Sequence, residues 1–196
     1  MIPKATTLVF LGRSGCGKDT QVEFLRKRPD FAGALEISTG NRFREFAKKE
    51  TLLGRKTKEI LDAGKRQPDW FGFATWLSSF GDSIQGEEIL LASGSPRSLR
   101  EAGLEDEALE FVKRPRAVAI YLNVSRTAAK KRLLLRARHD DSEKEIESRL
   151  DWFETDVLPV VEYYRNNKCL IEINGDPAPE EVFKELEEKL EKYFIK

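Results

Sequence analysis

The feature that most constrains this chain is a glycine-rich segment joining a predicted strand to a predicted helix. Residues 6–11 (TTLVFL) are apolar and rich in β-formers, and residues 12–18 (GRSGCGK) follow directly. Glycines at such a junction let backbone N–H groups surround a phosphate, while the following helix N-terminus and Lys18 add positive charge. The segment therefore predicts a phosphate-binding loop. Its predicted binding residues are Gly15, Cys16, Gly17, Lys18, Asp19 and Thr20.

Short apolar runs recur along the chain and alternate with segments of helical spacing. They occupy residues 34–37, 89–92, 118–122 and 170–173. Right-handed crossovers between such strands give a parallel sheet of about five strands with helices on both faces, and ligands bind at the carboxyl ends of the strands. We therefore expect a single three-layer α/β/α domain over residues 1–196.

Two regions interrupt this rhythm. Residues 38–85 are too long for a simple crossover and contain helical patterns broken by Gly54, Gly64 and Pro68. Their first part, residues 38–67, is predicted to be a small inserted helical subdomain. The charged residues 137–142 (ARHDDS) separate two predicted helices, and we interpret them as a short lid.

Charge and cysteine content restrict the partners. The 34 Lys and Arg balance 34 Asp and Glu, so no global field would concentrate nucleic acid or an anionic membrane on the surface. No stretch approaches the roughly 20 apolar residues of a membrane-spanning helix. Cys16 and Cys169 are far apart and suggest no metal cluster. We expect a reduced, cytoplasmic, monomeric protein whose anion site is local.

Several blocks resemble the adenylate kinase family. Residues 17–21 (GKDTQ) resemble its Gly-Lys-Gly-Thr-Gln run, with Asp19 in place of glycine. Similar blocks are residues 38–41 (STGN) with Arg44, residues 61–65 (LDAGK), and Gly94, Pro96 and Arg97 in the frame of Asp-Gly-Phe-Pro-Arg. The lid arginines and aspartates of the family match Arg132, Arg136, Arg138, Asp140, Asp141 and Arg149. The resemblance extends over most of the chain.

This resemblance implies a P-loop nucleoside monophosphate kinase with a short lid, which moves the γ-phosphoryl group of ATP to a nucleoside monophosphate. By resemblance, Arg132 and Arg136 attend ATP, and Asp140 and Asp141 hold the lid arginines. The implied acceptor-binding residues are Thr39, Arg44, Lys65, Gln67, Gly94, Arg97, Glu101, Arg138 and Arg149. The implied catalytic residues are Lys18, Arg97, Arg136, Arg138 and Arg149. Arginine suits these positions because its guanidinium grips two phosphate oxygens at once.

The chain departs from the family pattern around the metal. Ser93 and Asn41 stand where the family has acids that orient water on Mg²⁺. Mg²⁺ is therefore expected to be held mainly by nucleotide phosphates and water. One hypothesis is that Asp19, with Thr20, has taken over the orientation of that water. The alternative is that Asp19 only favours the helix N-terminus electrostatically.

The choice of acceptor base stays open at this point. Glu101 stands where adenylate kinases have a glutamine that pairs with adenine, and a carboxylate suits the two adjacent donors of guanine better. Thr39 and Leu61, however, resemble an AMP site. We expect AMP, with GMP or a pyrimidine monophosphate (UMP or CMP) as alternatives. A catalytically silent nucleotide-binding module is a different class, and the retained lid arginines argue against it.

Two residue types have no predicted functional role. The tryptophans Trp70, Trp76 and Trp152 are more often core residues than base-stacking platforms. Cys16 follows a glycine near a predicted helix N-terminus, where a thiol pKa tends to fall, but we interpret it as a small residue that fills the loop.

Overall fold

The structure is a computed structural model that describes residues 2–136 and 142–195. Its sheet has five parallel strands in the order β2-β3-β1-β4-β5. The strands are β1 (Thr7–Leu11), β2 (Leu35–Ser38), β3 (Leu90–Ser93), β4 (Val118–Asn123) and β5 (Leu170–Asn174). The predicted fold class is confirmed, and each predicted strand lies within one residue of the observed one.

Helices cover both faces of this sheet. In the described ranges they are α1 (Lys18–Arg26), α2 (Thr39–Ala47), α3 (Leu52–Asp62), α4 (Asp69–Ser83), α5 (Leu99–Phe111), α6 (Arg126–Arg136), α7 (Glu143–Trp152), α8 (Leu158–Asn166) and α9 (Pro179–Phe194). A 3₁₀ turn covers Pro29–Phe31, and a π-helix, Phe153–Val157, joins α7 to α8.

The central strand β1 explains why its sequence is apolar without alternation. Leu8 and Phe10 point into a core formed with α1, α6, α7 and α9, whereas Val9 and Leu11 point into a second core formed with α4, α5 and α8. Successive side chains of a strand face opposite sides of the sheet. Because helices cover both sides, every residue of β1 is buried.

Helices α2 and α3 lie between β2 and α4, in the segment predicted to be an insertion, and pack against each other. Thr51 caps α3 by accepting a hydrogen bond from the Gly54 backbone N–H at 3.1 Å. The assignment of residues 38–67 as an acceptor subdomain stays a prediction. Of the predicted lid, only Ser142 is described, where it caps α7 in a capping box with Glu145.

Within the described ranges, no helix is both long enough and apolar enough to cross a membrane.

Candidate active site

A cavity of about 590 Å³ opens at the carboxyl ends of the strands. Ser38 and Ser93 end β2 and β3 at its floor, and Gly175 follows β5 at one side. This is the edge at which parallel α/β sheets bind ligands. The predicted residues that line it are Gly15, Cys16, Gly17, Lys18, Asp19, Thr20, Arg44, Lys65, Gly94, Arg97, Arg132, Arg136 and Arg149.

The glycine-rich loop forms one wall of this cavity. The Lys18 ammonium donates to the backbone carbonyls of Gly12 and Arg13, at 2.9 and 3.0 Å. Gly17 precedes α1 in the left-handed region, with φ of 96°. The loop therefore holds the lysine amine beside a helix N-terminus, where both attract an anion.

Close packing behind the loop explains two of its residues. A Cβ on Gly15, whose φ is +82°, would lie 2.8 Å from the Leu133 side chain and 2.9 Å from the Ala129 carbonyl of α6. Cys16 is buried in the core, and its Sγ lies 3.3 Å from the Lys18 amine. The loop accepts only small residues here, in agreement with the interpretation of Cys16 as a filler.

Two arginines that line the cavity converge at the N-terminus of α2. A Cβ on Gly40 would lie 3.7 Å from Arg97 Nη2 and 3.8 Å from each terminal nitrogen of Arg44. Arg44 also donates to the Asn41 side-chain oxygen. Two guanidinium groups and a helix N-terminus thus face the same small volume, which suits a phosphate.

The electrostatics around Arg97 point to the same conclusion. Partial burial lowers the pKa of Arg97 by removing its hydration, and the positive charges of Arg44, Arg66 and Arg149 lower it further, while Glu101 opposes them. Positive charge is therefore concentrated around one guanidinium. A phosphate bound there would lower the energy of this cluster.

The arginines near the predicted lid belong to α6 and α7. Arg132 donates to the carbonyls of Gly175 and Asp176 at 2.8 and 2.9 Å, so its guanidinium anchors the loop after β5 at the cavity rim. Arg149 lines the cavity and donates from Nε to the Glu145 carbonyl at 3.3 Å. Arg136 ends α6 and lines the cavity as well. Arg138, Asp140 and Asp141 lie outside the described residues.

The structure does not bring three of the predicted residues to the cavity lining. Gln67 is buried, and its side-chain nitrogen donates to the Thr57 carbonyl at 3.1 Å. Thr39 is buried beside Gly94, and its hydroxyl has no hydrogen-bond partner in the described part of the chain. Glu101 is also buried, with 2% of its surface exposed.

Local helix geometry explains the position of Glu101. Ser98 caps α5 by accepting from the Glu101 backbone N–H at 3.2 Å, and the Glu101 carboxylate turns back to accept from the Arg97 backbone N–H at 2.7 Å. Its other oxygen lies 3.4 Å from an Arg66 nitrogen and fills the space left by Gly72. Burial raises the pKa of this carboxyl, whereas the Arg97 N–H and the two arginines lower it.

Sequence reasoning missed Trp152 and Phe43, which both line the cavity. Trp76 is a core residue as interpreted, and Trp70 is 58% exposed. One signal could have identified Trp152. It follows Arg149 by three residues in the same predicted helix, and such residues share a helix face.

Metal ligands are sparse in the described ranges, where no three His, Cys, Asp or Glu residues group as a metal site. Asp19 is exposed at the cavity and follows Lys18 directly, and Thr20 also lines the cavity. These residues fit a Mg²⁺ ion that is held chiefly by nucleotide phosphates and water. They do not fit an ion caged by protein ligands alone.

Known proteins are similar to this chain over most of its length. A family model described as adenylate kinase matches residues 10–169. The adenylate kinase of Prochlorococcus marinus (strain MIT 9515) is 31% identical over 183 residues, which cover 93% of this chain and 97% of the relative. Adenylate kinase 1 of Nostoc sp. is 31% identical over 185 residues, covering 94% and 98%, and the adenylate kinase of Flavobacterium psychrophilum is 32% identical over 186 residues, covering 92% and 96%.

The matched region includes the phosphate loop and helices α2 and α3. It also includes the arginines that line the cavity, which are Arg44, Arg97, Arg132, Arg136 and Arg149. The chain therefore belongs to the adenylate kinase family and is a phosphotransferase of the nucleoside monophosphate kinase class.

Proposed function

We propose that the protein catalyses reversible transfer of the γ-phosphoryl group of ATP to AMP, giving two molecules of ADP. One observation carries the proposal: the phosphate loop and the Arg44–Arg97 pair line the same cavity. Transfer requires two phosphate chains to meet in line, and this arrangement offers each chain its own cationic anchor.

The donor half of the reaction depends on the loop. The triphosphate of ATP lies over residues 12–18, where backbone N–H groups and the N-terminus of α1 face its oxygens. Lys18 exchanges the Gly12 and Arg13 carbonyls for phosphate oxygens. Arg132 and Arg136 at the rim neutralise further donor charge.

The acceptor half depends on Arg44 and Arg97, which hold the α-phosphate of AMP above Gly40. The attacking phosphate oxygen is already ionised, so no side chain needs to remove a proton. Arg149, together with Arg138 of the proposed lid, stabilises the charge on the transferring group. Closure of that lid would exclude the water that otherwise takes the phosphoryl group.

Mg²⁺ would lie with the donor phosphates, near Asp19 and Thr20. When bound, it neutralises phosphate charge and keeps part of its own water shell. In this proposal Asp19 orients that water and takes the place of acids absent at Ser93 and Asn41.

The position of Glu101 supports AMP as the acceptor. Both carboxylate oxygens face partners within the protein, and the residue is outside the cavity lining. The cavity instead presents Leu61 and Phe43 beside the acceptor arginines. An apolar wall without an exposed carboxylate suits a stacked adenine better than it suits the paired donors of guanine.

A matrix of donors against acceptors, with product identification, tests the proposal. ATP, GTP, CTP and UTP are each combined with AMP, GMP, CMP and UMP in the presence of Mg²⁺. We expect the highest initial rate with ATP and AMP, and two ADP formed for each AMP consumed. Activity confined to another monophosphate would contradict AMP as the acceptor, and binding without turnover would favour the silent module.

Matched variants assign the activity to the cavity. Lys18→Ala and Arg97→Ala should each lower kcat/KM by about a hundredfold or more. Arg100→Ala is the control, since Arg100 follows Arg97 by three residues but is exposed and outside the lining. Unaltered turnover in either test variant would remove that residue from the catalytic set.

A further inference from the structure

Trp152 contacts both the acceptor arginine Arg97 and Gly64, which follows α3. It is the last residue of α7 and directly precedes the π-helix. Its ring lies 5.5 Å from the Arg97 guanidinium carbon, and its indole N–H donates to the Gly64 carbonyl at 3.1 Å. The face of the indole ring thus contacts Arg97, and its N–H edge contacts Gly64.

The backbone of Gly64 packs closely against α7. The Ser148 hydroxyl, one helical turn before Trp152, donates to the same Gly64 carbonyl at 3.2 Å. Gly64 has φ of +62°, and a Cβ there would lie 2.6 Å from the Glu145 carbonyl of α7. Only glycine allows so close an approach in this conformation. The chain just after α3 is therefore fixed to α7 by two hydrogen bonds and by direct backbone packing.

An aromatic ring is a suitable partner for the Arg97 guanidinium. Glu101 accepts from the Arg97 backbone N–H and attracts the Arg97 guanidinium by charge, but Arg44, Arg66 and Arg149 repel that guanidinium. An indole face attracts a guanidinium and leaves its in-plane N–H groups available to a phosphate. Trp152 can thus orient Arg97 without competing for the donors that bind the acceptor.

We propose, on the basis of the function proposed above, that Trp152 is a positioning residue for the acceptor nucleotide. Its ring face sets the orientation of Arg97 towards the acceptor α-phosphate, and its N–H fixes Gly64, which lines the acceptor side of the cavity together with Lys65. Trp152 does not touch the phosphate loop through a hydrogen bond in the described residues. Its loss should therefore weaken acceptor binding selectively.

The test separates the two functions of the ring. Trp152→Leu removes the face and the N–H, and we expect the KM for the acceptor to rise about tenfold, with the KM for ATP within about twofold of wild type. Trp152→Phe keeps an aromatic face and should recover part of the loss. Trp70→Phe is the control, because Trp70 is exposed on α4 and outside the cavity lining. Circular dichroism and thermal melting confirm that the variants are folded.

A spectroscopic measurement covers the case in which Trp152→Leu does not fold. In a Trp70→Phe background, Trp76 stays in the core and Trp152 reports on the cavity. Titration with the monophosphate that the wild type phosphorylates should change the fluorescence, and the change should vanish in Trp70→Phe/Trp152→Phe. No change on titration would overturn the proposal.

Two further outcomes distinguish this inference from the proposed function. A wild type that phosphorylates none of the four monophosphates would overturn the proposed function itself. An active wild type with an unaltered acceptor KM in Trp152→Leu, or with acceptor and ATP KM raised by the same factor, would overturn only the role of Trp152. The KM is measured for whichever monophosphate the wild type uses, so the choice of base does not affect the result.

Discussion

Glu101 and Glu105 lie four residues apart on one face of α5, and both are 2% exposed. The Ser95 hydroxyl donates to Glu105 and lies 3.4 Å from a Glu101 oxygen. Glu101 has Arg66 and Arg97 nearby, whereas Glu105 has no ion pair among the described residues. Glu101 is thus held close to two arginines. Glu105, one helical turn later, has no cation beside it among the described residues.

This difference predicts the effect of pH on stability. Burial raises the pKa of Glu105 well above 4.5, and the charges of Glu101 and Asp106 add to this, whereas the Ser95 hydrogen bond opposes it. A group with a raised pKa binds a proton on folding. Its stabilising contribution is fully present below the unfolded-state pKa and is lost as the pH rises through the folded-state pKa.

Glu105→Gln should therefore be more stable than wild type at neutral pH, and the difference should grow as the pH rises above the ordinary pKa of a glutamate. Thermal melting at several pH values measures it. Glu107→Gln, on the exposed side of the same helix, should leave the pH dependence unaltered. A constant offset between Glu105→Gln and wild type at every pH would show that Glu105 does not carry the effect.

At the scale of elements, the segment from α7 through the π-helix contacts both the phosphate loop and the chain that follows α3. Ser148 and Trp152 hold Gly64, and Asp156 pairs with Arg66 at 2.8 Å, on the acceptor side. On the donor side, Arg13 of the phosphate loop pairs with Glu154. π-helical turns are rare and are often found at functional sites. Here Glu154 and Asp156, two positions apart in the π-helix, pair with the phosphate loop and with Arg66.

Arg13 provides the test of the donor side. Its guanidinium lies 4.5 Å from the centre of the Phe153 ring and donates to the Val124 carbonyl at 2.9 Å, while its own carbonyl accepts from Lys18. Arg13→Ala should release the loop and raise the KM for ATP roughly three- to tenfold, with a smaller effect on the acceptor KM. Initial rates with each substrate varied in turn measure both constants.

The comparison variant for this prediction is Arg26→Ala, which removes an exposed ion pair of α1 with Glu36. It should leave both KM values within about twofold of wild type, because exposed ion pairs contribute little. If Arg13→Ala raised the acceptor KM more than the ATP KM, the assignment of Arg13 to the donor side would be wrong.

The elements were predictable where the signal was local. Short apolar runs located all five strands, and the central strand β1 gave the clearest signal because a strand buried on both faces must be apolar throughout. Contacts such as Trp152 with Gly64 join residues 88 positions apart, and no local pattern encodes them. Glu101 shows the converse: its family position suggested a base contact, but a helix cap and Arg97 direct its carboxylate into the protein.

At the scale of the whole molecule, the sheet brings distant parts of the chain to one cavity. The phosphate loop follows β1, Arg97 follows β3, and Arg132 belongs to the helix after β4. The net charge of the chain is zero, so the attraction for phosphates is produced by local placement and not by an overall field. Two anionic substrates bound together in this cavity should therefore stabilise the folded protein more than either substrate alone.

A bisubstrate analogue, in which a polyphosphate chain joins two adenosines, tests this joint occupancy. A ligand that binds only the folded state stabilises it by RT ln(1 + [L]/Kd), about 2.7 kcal/mol at a hundredfold excess over Kd. Because the tether makes the second contact intramolecular, the analogue should raise Tm more than an equal concentration of ATP and AMP together. Lys18→Ala and Arg97→Ala should each reduce the shift towards that of a single nucleotide, whereas Arg100→Ala should preserve it. A ligand that contacts both the phosphate loop and the Arg44–Arg97 pair must gain binding free energy from both. A rise in Tm no larger than that with ATP alone would therefore contradict simultaneous binding at the two sites.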